Sequence, residues 1–148
     1  MRIVTALLTL GFVFIGTLDA RGQTMVKFQS EDGWPIGGLL YLPQPAPAYP
    51  VPGVVTMSEP GGSTALPTGG PYRAEMQKLG MAVLVIDARG HGRSTGKKPF
   101  KSFLQKDLDG MQLDIRAAVA FLGSQKGVDP PRIGVVAPLA AGSYACWR

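Results

Sequence analysis

Hydrophobic and polar residues alternate along Met25–Ser30, with apolar side chains at every second position. Such alternation predicts a β-strand with one buried face. The turn Glu31-Asp32-Gly33 joins this segment to Ile36–Leu42, which predicts the second arm of a β-hairpin. The following stretch, Pro43-Gln44-Pro45-Ala46-Pro47, is too rich in proline for a helix or a central strand and predicts an extended connector.

Val51–Met57 and Met81–Ile86 are short runs of mostly apolar residues, a pattern typical of parallel strands that are covered on both faces. A short helix is predicted between them, with Pro71 in its first turn and Gly80 as its stop. Three apolar residues are predicted to share one face of this helix: Tyr72, Met76 and Leu79.

A longer amphipathic helix is predicted next, opened by the capping box Ser102-x-x-Gln105 and ending near Gly127. Its apolar residues recur at spacings of three and four: Leu104, Leu108, Met111, Ile115, Val119 and Leu122. Asp129-Pro130-Pro131 then turns the chain into a strand at Arg132–Val136. This order of strands and helices predicts a parallel α/β sheet with right-handed crossovers.

Composition and charge limit the size and the class of the protein but do not indicate its function. The 148 residues suit one modest domain, with 45% hydrophobic residues and a net charge of +5. The basic residues are scattered without interleaved aromatic residues, which favours a solvated surface over a groove for nucleic acid. Cys146, the single cysteine, has no partner for a disulfide within the chain.

Residues 1–20 are predicted to be a signal peptide, and residues 21–148 the exported protein. Arg2 supplies a positive start, Ile3–Leu18 an apolar core, and Ala20 a small residue at the cleavage point. The apolar run is shorter than the roughly 20 residues of a spanning helix. Leu18 is an imperfect residue at the third position before the cut, so an uncleaved N-terminal anchor stays open as the alternative. The lack of a cysteine near residue 20 excludes a lipid attachment site there.

Three segments resemble the α/β-hydrolase family. Gly61-Gly62-Ser63 follows the first parallel strand, Asp87-Ala88-Arg89-Gly90-His91-Gly92-Arg93-Ser94 follows the second, and Val128–Val136 contains the third. With the N-terminal hairpin, the pattern is most similar to the dienelactone-hydrolase-like and serine-peptidase-like branch. The resemblance covers Met25–Val136 and implies the N-terminal half of the fold, a hairpin followed by a mostly parallel sheet flanked by helices.

The family implies serine-dependent hydrolysis of ester, lactone or peptide bonds. In that architecture the strand ending at Val136 leads into a Gly-x-Ser-x-Gly turn that carries the nucleophile, and the acid and histidine follow later in the chain. Here the positions that match the serine hold Leu139 or Pro138, depending on the alignment. The loop after Met57 has Ser58 where the family has a histidine, and Pro60 has no N–H for an oxyanion.

Ser143 is the one serine that could still serve as nucleophile, within Ala141-Gly142-Ser143-Tyr144-Ala145. It lies seven residues beyond Val136, where the following helix is expected, which favours a structural role. His91, the only histidine, precedes the nucleophile turn and so does not match the triad histidine. It is predicted to be a loop histidine that bonds to backbone.

Neither a cofactor nor a metal is predicted. The glycines at 90–96 miss the spacing of a dinucleotide or phosphate loop, and the acidic residues of the long helix have no histidine or cysteine beside them: Asp107, Asp109 and Asp114. The sequence therefore predicts a truncated hydrolase without a complete triad. A frameshift in the gene is suggested by the last four residues, Ala145-Cys146-Trp147-Arg148. A non-catalytic binding module and a hydrolase using Ser143 are the alternatives. An unpaired edge of the Ile133–Val136 strand predicts self-association.

Overall fold

The computed structural model describes residues 14–18, 23–57, 70–96 and 98–136. The strands are β1 (Phe14–Leu18), β2 (Gln23–Gln29), β3 (Pro35–Tyr41), β4 (Val51–Met57), β5 (Ala82–Ile86) and β6 (Val128–Val136). The α-helices are α1 (Gly70–Lys78), α2 (Gln105–Asp109) and α3 (Met111–Gly123). No helix among these residues is long and apolar enough to cross a membrane.

The strands form one six-stranded sheet in the order β1-β2-β3-β5-β4-β6. The β2–β3 hairpin is antiparallel, and β3 pairs antiparallel with β5. The strands β5, β4 and β6 are parallel to one another. The predicted fold class, a hairpin followed by a mostly parallel sheet flanked by helices, is confirmed. Strand β1, which pairs antiparallel with β2, lies inside the segment predicted to be a signal peptide.

Two adjacent glycines of β3 allow close contacts, Gly38 with the central strand β5 and Gly37 with the segment that follows it. A Cβ atom on Gly38 would lie 2.6 Å from the carbonyl oxygen of Val85, and one on Gly37 would lie 2.5 Å from the Cβ of Arg93. Both distances are shorter than side-chain atoms tolerate. Glycine at position 38 therefore allows the register in which Gly38 pairs with Ile86.

The larger core lies between the sheet and α3. Met111, Ile115 and Leu122 of α3 are fully buried against apolar side chains of the hairpin and the parallel strands. Phe28 and Phe121 stack with ring centroids 4.7 Å apart. Each of these large side chains contributes about 1.5–3 kcal/mol when it leaves water, so this layer supplies much of the hydrophobic stabilisation.

The opposite face of the sheet carries a smaller cluster of Leu39, Tyr41, Val83 and Val85, with Met76 of α1 packed on it. The apolar residues predicted to share a face of α1 are not all buried. Tyr72 is 68% exposed and Leu79 is 73% exposed, because the helix contacts the sheet through Met76 and through Arg73, whose guanidinium lies 4.7 Å from the centre of the Tyr41 ring.

The single long helix predicted from Ser102 to Gly127 is also wrong, because the segment forms two helices that break at Gly110. Ser102 lies in a short 3₁₀ turn, and the first α-helix is capped at Leu104 instead. The Leu104 N–H donates to the Asp107 carboxylate at 2.7 Å. Helix α3 ends at Gly123, and Gly127, at φ +85°, lies in the turn that follows.

Strand β6 begins earlier than the sequence predicts. Val128 pairs with Val51, so Asp129-Pro130-Pro131 belongs to the strand and a register irregularity precedes the pair of Gly53 and Ile133. Arg132 strengthens this junction, since its guanidinium donates to the Pro50 carbonyl at 2.8 Å. The N-terminal half of β6 therefore contains Pro130 and Pro131, which the sequence predicts to lie in a turn before the strand.

Candidate functional site

The three parallel strands end level with one another. Met57 of β4 pairs with Ile86 of β5, and Thr56 pairs with Val136 of β6. Ligands of open α/β sheets bind outside the carboxyl ends of the strands. The carboxyl edge formed by β4, β5 and β6 is therefore the candidate site, and the turn after β5 is the part of it that the structure describes.

This turn, Asp87–Ser94, is held by bonds between its own first and last residues. The buried Asp87 carboxylate accepts the Arg93 N–H at 2.9 Å, and the Arg93 guanidinium lies 3.7 Å from it. The Ser94 hydroxyl donates to the Asp87 carbonyl at 2.7 Å and accepts the Gly37 N–H at 2.9 Å. The turn is thereby fixed both to itself and to the hairpin.

Gly90 makes this turn possible. Its φ of +76° lies in the left-handed region that favours glycine, and a Cβ atom there would lie 2.5 Å from the Phe103 ring. The space beside Gly90 is filled by aromatic side chains, with Phe100 and Phe103 5.2 Å apart and Trp34 5.5 Å from Phe103. Trp34 also donates from its indole nitrogen to the Ser94 carbonyl at 2.8 Å.

Arg89 is a fully buried cation with two carboxylate partners. Its side chain donates to Asp114 of α3, with the shortest N···O distance 2.6 Å, and its backbone N–H donates to the same carboxylate at 3.1 Å. Nη1 donates to Asp32 of the hairpin turn at 2.7 Å. The guanidinium also lies 5.0 Å from the centre of the Trp34 ring. One side chain thus joins the β5 turn, the hairpin turn and α3.

The pKa values in this network follow from burial and pairing. Burial lowers the pKa of Arg89, but the hydrogen bonds to Asp114 and Asp32 raise it by a larger amount. The pKa of Arg89 therefore lies above its ordinary value, and the guanidinium stays charged. Burial raises the pKa of the Asp114 carboxyl, against the opposing effect of Arg89. Partial burial raises the pKa of Asp32, but the hydrogen bonds from Arg89 and Ser30 have the larger effect and lower it to about 2.

Gly110, where the predicted long helix breaks, leaves room for Arg89. A Cβ atom at Gly110 would lie 2.1 Å from Nη1 of Arg89. That nitrogen is held by Asp32 and could move only by giving up its ion pair. The break between α2 and α3 is therefore part of the site's architecture.

His91 lies in the same turn and is 5% exposed. Its Nδ1 lies 3.0 Å from the carbonyl oxygen of Arg89, which is the backbone bond that the sequence predicts. Its ring lies 4.4 Å from the ring of Phe100. In the described part of the chain, Nε2 is the one buried side-chain nitrogen or oxygen without a hydrogen-bond partner.

The other residues singled out in the sequence fall into two groups. Ser58, Pro60, Pro138, Leu139 and Ser143 lie outside the described residues. The three acidic residues of the helical segment lie among the described residues, and each has a different partner. Asp107 caps α2 and pairs with Lys98 at 2.6 Å, and this hydrogen bond lowers its pKa. Asp109 is exposed and accepts from Gln105, and Asp114 pairs with Arg89.

Within residues 14–18, 23–57, 70–96 and 98–136, no group of three or more His, Cys, Asp or Glu side chains is arranged to hold a metal ion. Sequence reasoning missed the network around Arg89 altogether. One signal was available: Asp114 shares the buried helix face with Met111, Ile115 and Ala118. A charge on such a face requires a partner, although nothing in the sequence says that the partner is Arg89.

No family model matches the chain. Over 128 residues it is 31% identical to the thiohydrolase aneE of Aspergillus aculeatus, a match that covers 86% of this chain and 37% of that protein. A hypothetical protein from Pseudomonas aeruginosa has a similar crystal structure, with a TM-score of 0.74, 26% identity, and coverage of 87% of this chain and 39% of the other.

An acetyl xylan esterase from Paenibacillus sp. R4 superposes with a TM-score of 0.67 at 23% identity, covering 92% of this chain and 48% of the esterase. The chain has an α/β-hydrolase fold. It spans less than half the length of these relatives and corresponds to the N-terminal half of that fold.

Proposed function

We propose that this chain supplies the scaffold half of a serine hydrolase that cleaves ester or thioester bonds, and that its 148 residues do not complete the active site. The observation that carries the proposal is the state of His91. It is the only histidine of the sequence, and its ring is buried in the β5 turn with Nδ1 on backbone. A serine hydrolase requires a histidine that can exchange a proton with the nucleophile.

The sheet and its carboxyl edge are the contribution of this chain. In the family, the turn after the strand that corresponds to β6 carries the nucleophile, and residues later in the chain carry the acid and the histidine. The positions that match the serine hold Pro138 or Leu139. Neither side chain can attack a carbonyl carbon, so these two positions provide no nucleophile.

The choice of ester or thioester substrate follows the relatives, which include a thiohydrolase and an acetyl xylan esterase. The test is an assay of the purified chain with p-nitrophenyl acetate and with an acyl thioester. We expect no turnover above buffer. Turnover that disappears in Ser143→Ala and persists in a Ser102→Ala control would establish the alternative, a hydrolase using Ser143. Saturable binding of a substrate analogue without turnover would favour a binding module.

We further propose that the chain self-associates through β6. This strand pairs with β4 on one side, and in the described residues it has no pairing on the other. Pro130 and Pro131 confine a new ladder to the C-terminal half of the strand. Size-exclusion chromatography with light scattering should show oligomers that Val136→Lys reduces, because edge charges oppose strand pairing. A wild-type monomer at micromolar concentration would contradict this.

Export with cleavage after Ala20 remains our proposal for the N-terminus. Cleavage would remove β1 and leave β2 as the edge of the sheet, while the cores on both faces of β5 would keep their side chains. Intact-mass measurement of protein from the envelope or the medium should give a chain beginning near Arg21. A membrane-bound chain that retains Met1 would support the anchor instead.

A further inference from the structure

The geometry assigns a positioning role to Asp32 and Asp114. We propose that, acting through Arg89, they fix His91 in the Nδ1–H tautomer, so that Nε2 offers a lone pair to an O–H or N–H donor. The presence of such a donor in the completed site rests on the proposed function, whereas the positioning itself does not.

The first step concerns the tautomer of His91. The carbonyl oxygen of Arg89 can only accept a hydrogen bond, so the imidazole Nδ1 that lies 3.0 Å away must carry the proton. When one ring nitrogen is fixed as the donor, the other is left as an acceptor. Nε2 is buried without a partner among the described residues, and buried polar atoms are rarely left so. Its lone pair suits a hydroxyl or amide donor and repels a carbonyl or carboxylate oxygen.

The second step concerns what holds the Arg89 carbonyl in place. Both the backbone and the side chain of Arg89 are anchored. Its backbone N–H donates to Asp114 at 3.1 Å, and its guanidinium donates to Asp114 and Asp32. Gly90, which follows directly, is held by two hydrogen bonds: its N–H donates to the Ser94 carbonyl, and its carbonyl accepts from the Phe100 N–H. The acceptor of the His91 bond therefore has little freedom to rotate.

The third step is the location of the turn. His91 follows β5, whose carboxyl end is level with that of β4, and β4 is level with β6. This is the edge at which α/β sheets bind ligands. His91 belongs to the turn at this edge, and its fixed tautomer makes Nε2 a hydrogen-bond acceptor that can position a donor without exchanging a proton with a nucleophile.

The test uses the single histidine as a spectroscopic probe. With the full chain labelled with ¹⁵N-histidine, long-range ¹H–¹⁵N correlation spectra report only His91 and distinguish a protonated from an unprotonated ring nitrogen. We expect Nδ1 protonated and Nε2 unprotonated in the wild type. Asp114→Asn should shift both ring nitrogens toward the other tautomer or split them into two signals, and Asp32→Asn should do the same to a smaller extent.

Glu31→Gln is the matched control, because it removes one negative charge from the same exposed turn without touching Arg89. It should leave the His91 spectrum unchanged. Asp32 is 37% exposed and its loss leaves the Arg89–Asp114 pair intact, so Asp32→Asn decides the matter if Asp114→Asn fails to fold. Wild-type ring shifts in folded Asp32→Asn, equal effects of Glu31→Gln, or an Nε2–H tautomer in the wild type would overturn the proposal. None of these outcomes depends on hydrolysis, so the proposed function is tested separately.

Discussion

Strands β5 and β6 come from similar short apolar runs, yet they have opposite environments. All five residues of β5 are at most 3% exposed, and the strand pairs on both sides. In β6, Ile133 and Val135 are half-buried and Val136 is 39% exposed. An apolar run specifies a strand that can be buried. Whether it is buried on both sides depends on neighbours that other segments provide.

The turn that follows β5 shows the same contrast. Hydrogen bonds join it to the hairpin and α3 through Arg89, Asp87 and Ser94. For β6, the structure describes packing on α3 and pairing with β4. The two regions should therefore respond very differently to the same substitution.

The largest expected effect is on the ion network beside β5. Asp114→Asn leaves the buried Arg89 with an incomplete partner, and breaking a buried pair from one side typically costs about 3–5 kcal/mol. We expect a loss of that order in the free energy of unfolding, measured by urea denaturation with circular dichroism. Asp109→Asn, on the exposed side of α2, is the control and should stay within about 0.5 kcal/mol. A small effect of Asp114→Asn would mean that the network contributes little to the difference between the two strands.

The second prediction applies one truncation to both strands. Val83→Ala removes methyl groups from a fully buried site in β5 and should lower the free energy of unfolding by about 2 kcal/mol. Val136→Ala, at the exposed end of β6, should cost less than about 0.5 kcal/mol. Equal losses, measured by thermal and urea unfolding, would show that β6 is covered in solution.

The third prediction adds a methyl group in each region. Gly110→Ala should cost about 1–2 kcal/mol, because the new Cβ displaces the Arg89 guanidinium from Asp32. Gly134→Ala in β6 meets nothing within 4 Å and should be neutral to within about 0.5 kcal/mol. Differential scanning calorimetry of the two variants sharpens the comparison, since a destabilising Gly134→Ala would reveal a close neighbour of β6.

The smallest expected effect is the pH dependence of the Asp32–Arg89 bond. Because the pKa of Asp32 is lowered from 3.8 to about 2 in the folded state, its stabilisation is fully present above the unfolded pKa and is lost as the pH falls toward 2. Solvent screening of this 37% exposed side chain reduces the effect to about 1 kcal/mol. The stability difference between wild type and Asp32→Asn should be present at pH 7 and vanish near pH 2. A difference independent of pH would contradict the ion pair.

Local patterns predicted the elements that depend on local signals. The hairpin and the strands β4 and β5 agree with their alternation and their apolar runs to within about two residues. The predicted long helix is wrong at Gly110, where the space that a Cβ atom would need is filled by Arg89, a side chain from a separate element. The start of β6 failed because pairing of Val128 with Val51 prevails over the turn preference of Asp129-Pro130-Pro131.

The sequence predicted the motif after β5 but did not predict a functional site there. The sequence placed the Asp87–Ser94 turn after β5, but the motif says nothing of Asp32, Trp34 or Asp114, which come from separate elements. Long-range ion pairs leave no periodic trace in a sequence. A charged residue on the apolar face of α3 was the single signal for one of them.

The sheet order has a consequence for how the chain folds during synthesis. Strand β5 lies between β3 and β4, both of which leave the ribosome before it. Until residues 82–86 emerge, the facing edges of β3 and β4 have no partner, and pairing them directly would exclude the central strand. Gly38 of β3 leaves space for the β5 backbone, because a Cβ atom there would lie 2.6 Å from the Val85 carbonyl oxygen. Correct folding therefore depends on a late insertion, a non-local step of the kind that slows folding and exposes nascent chains to aggregation.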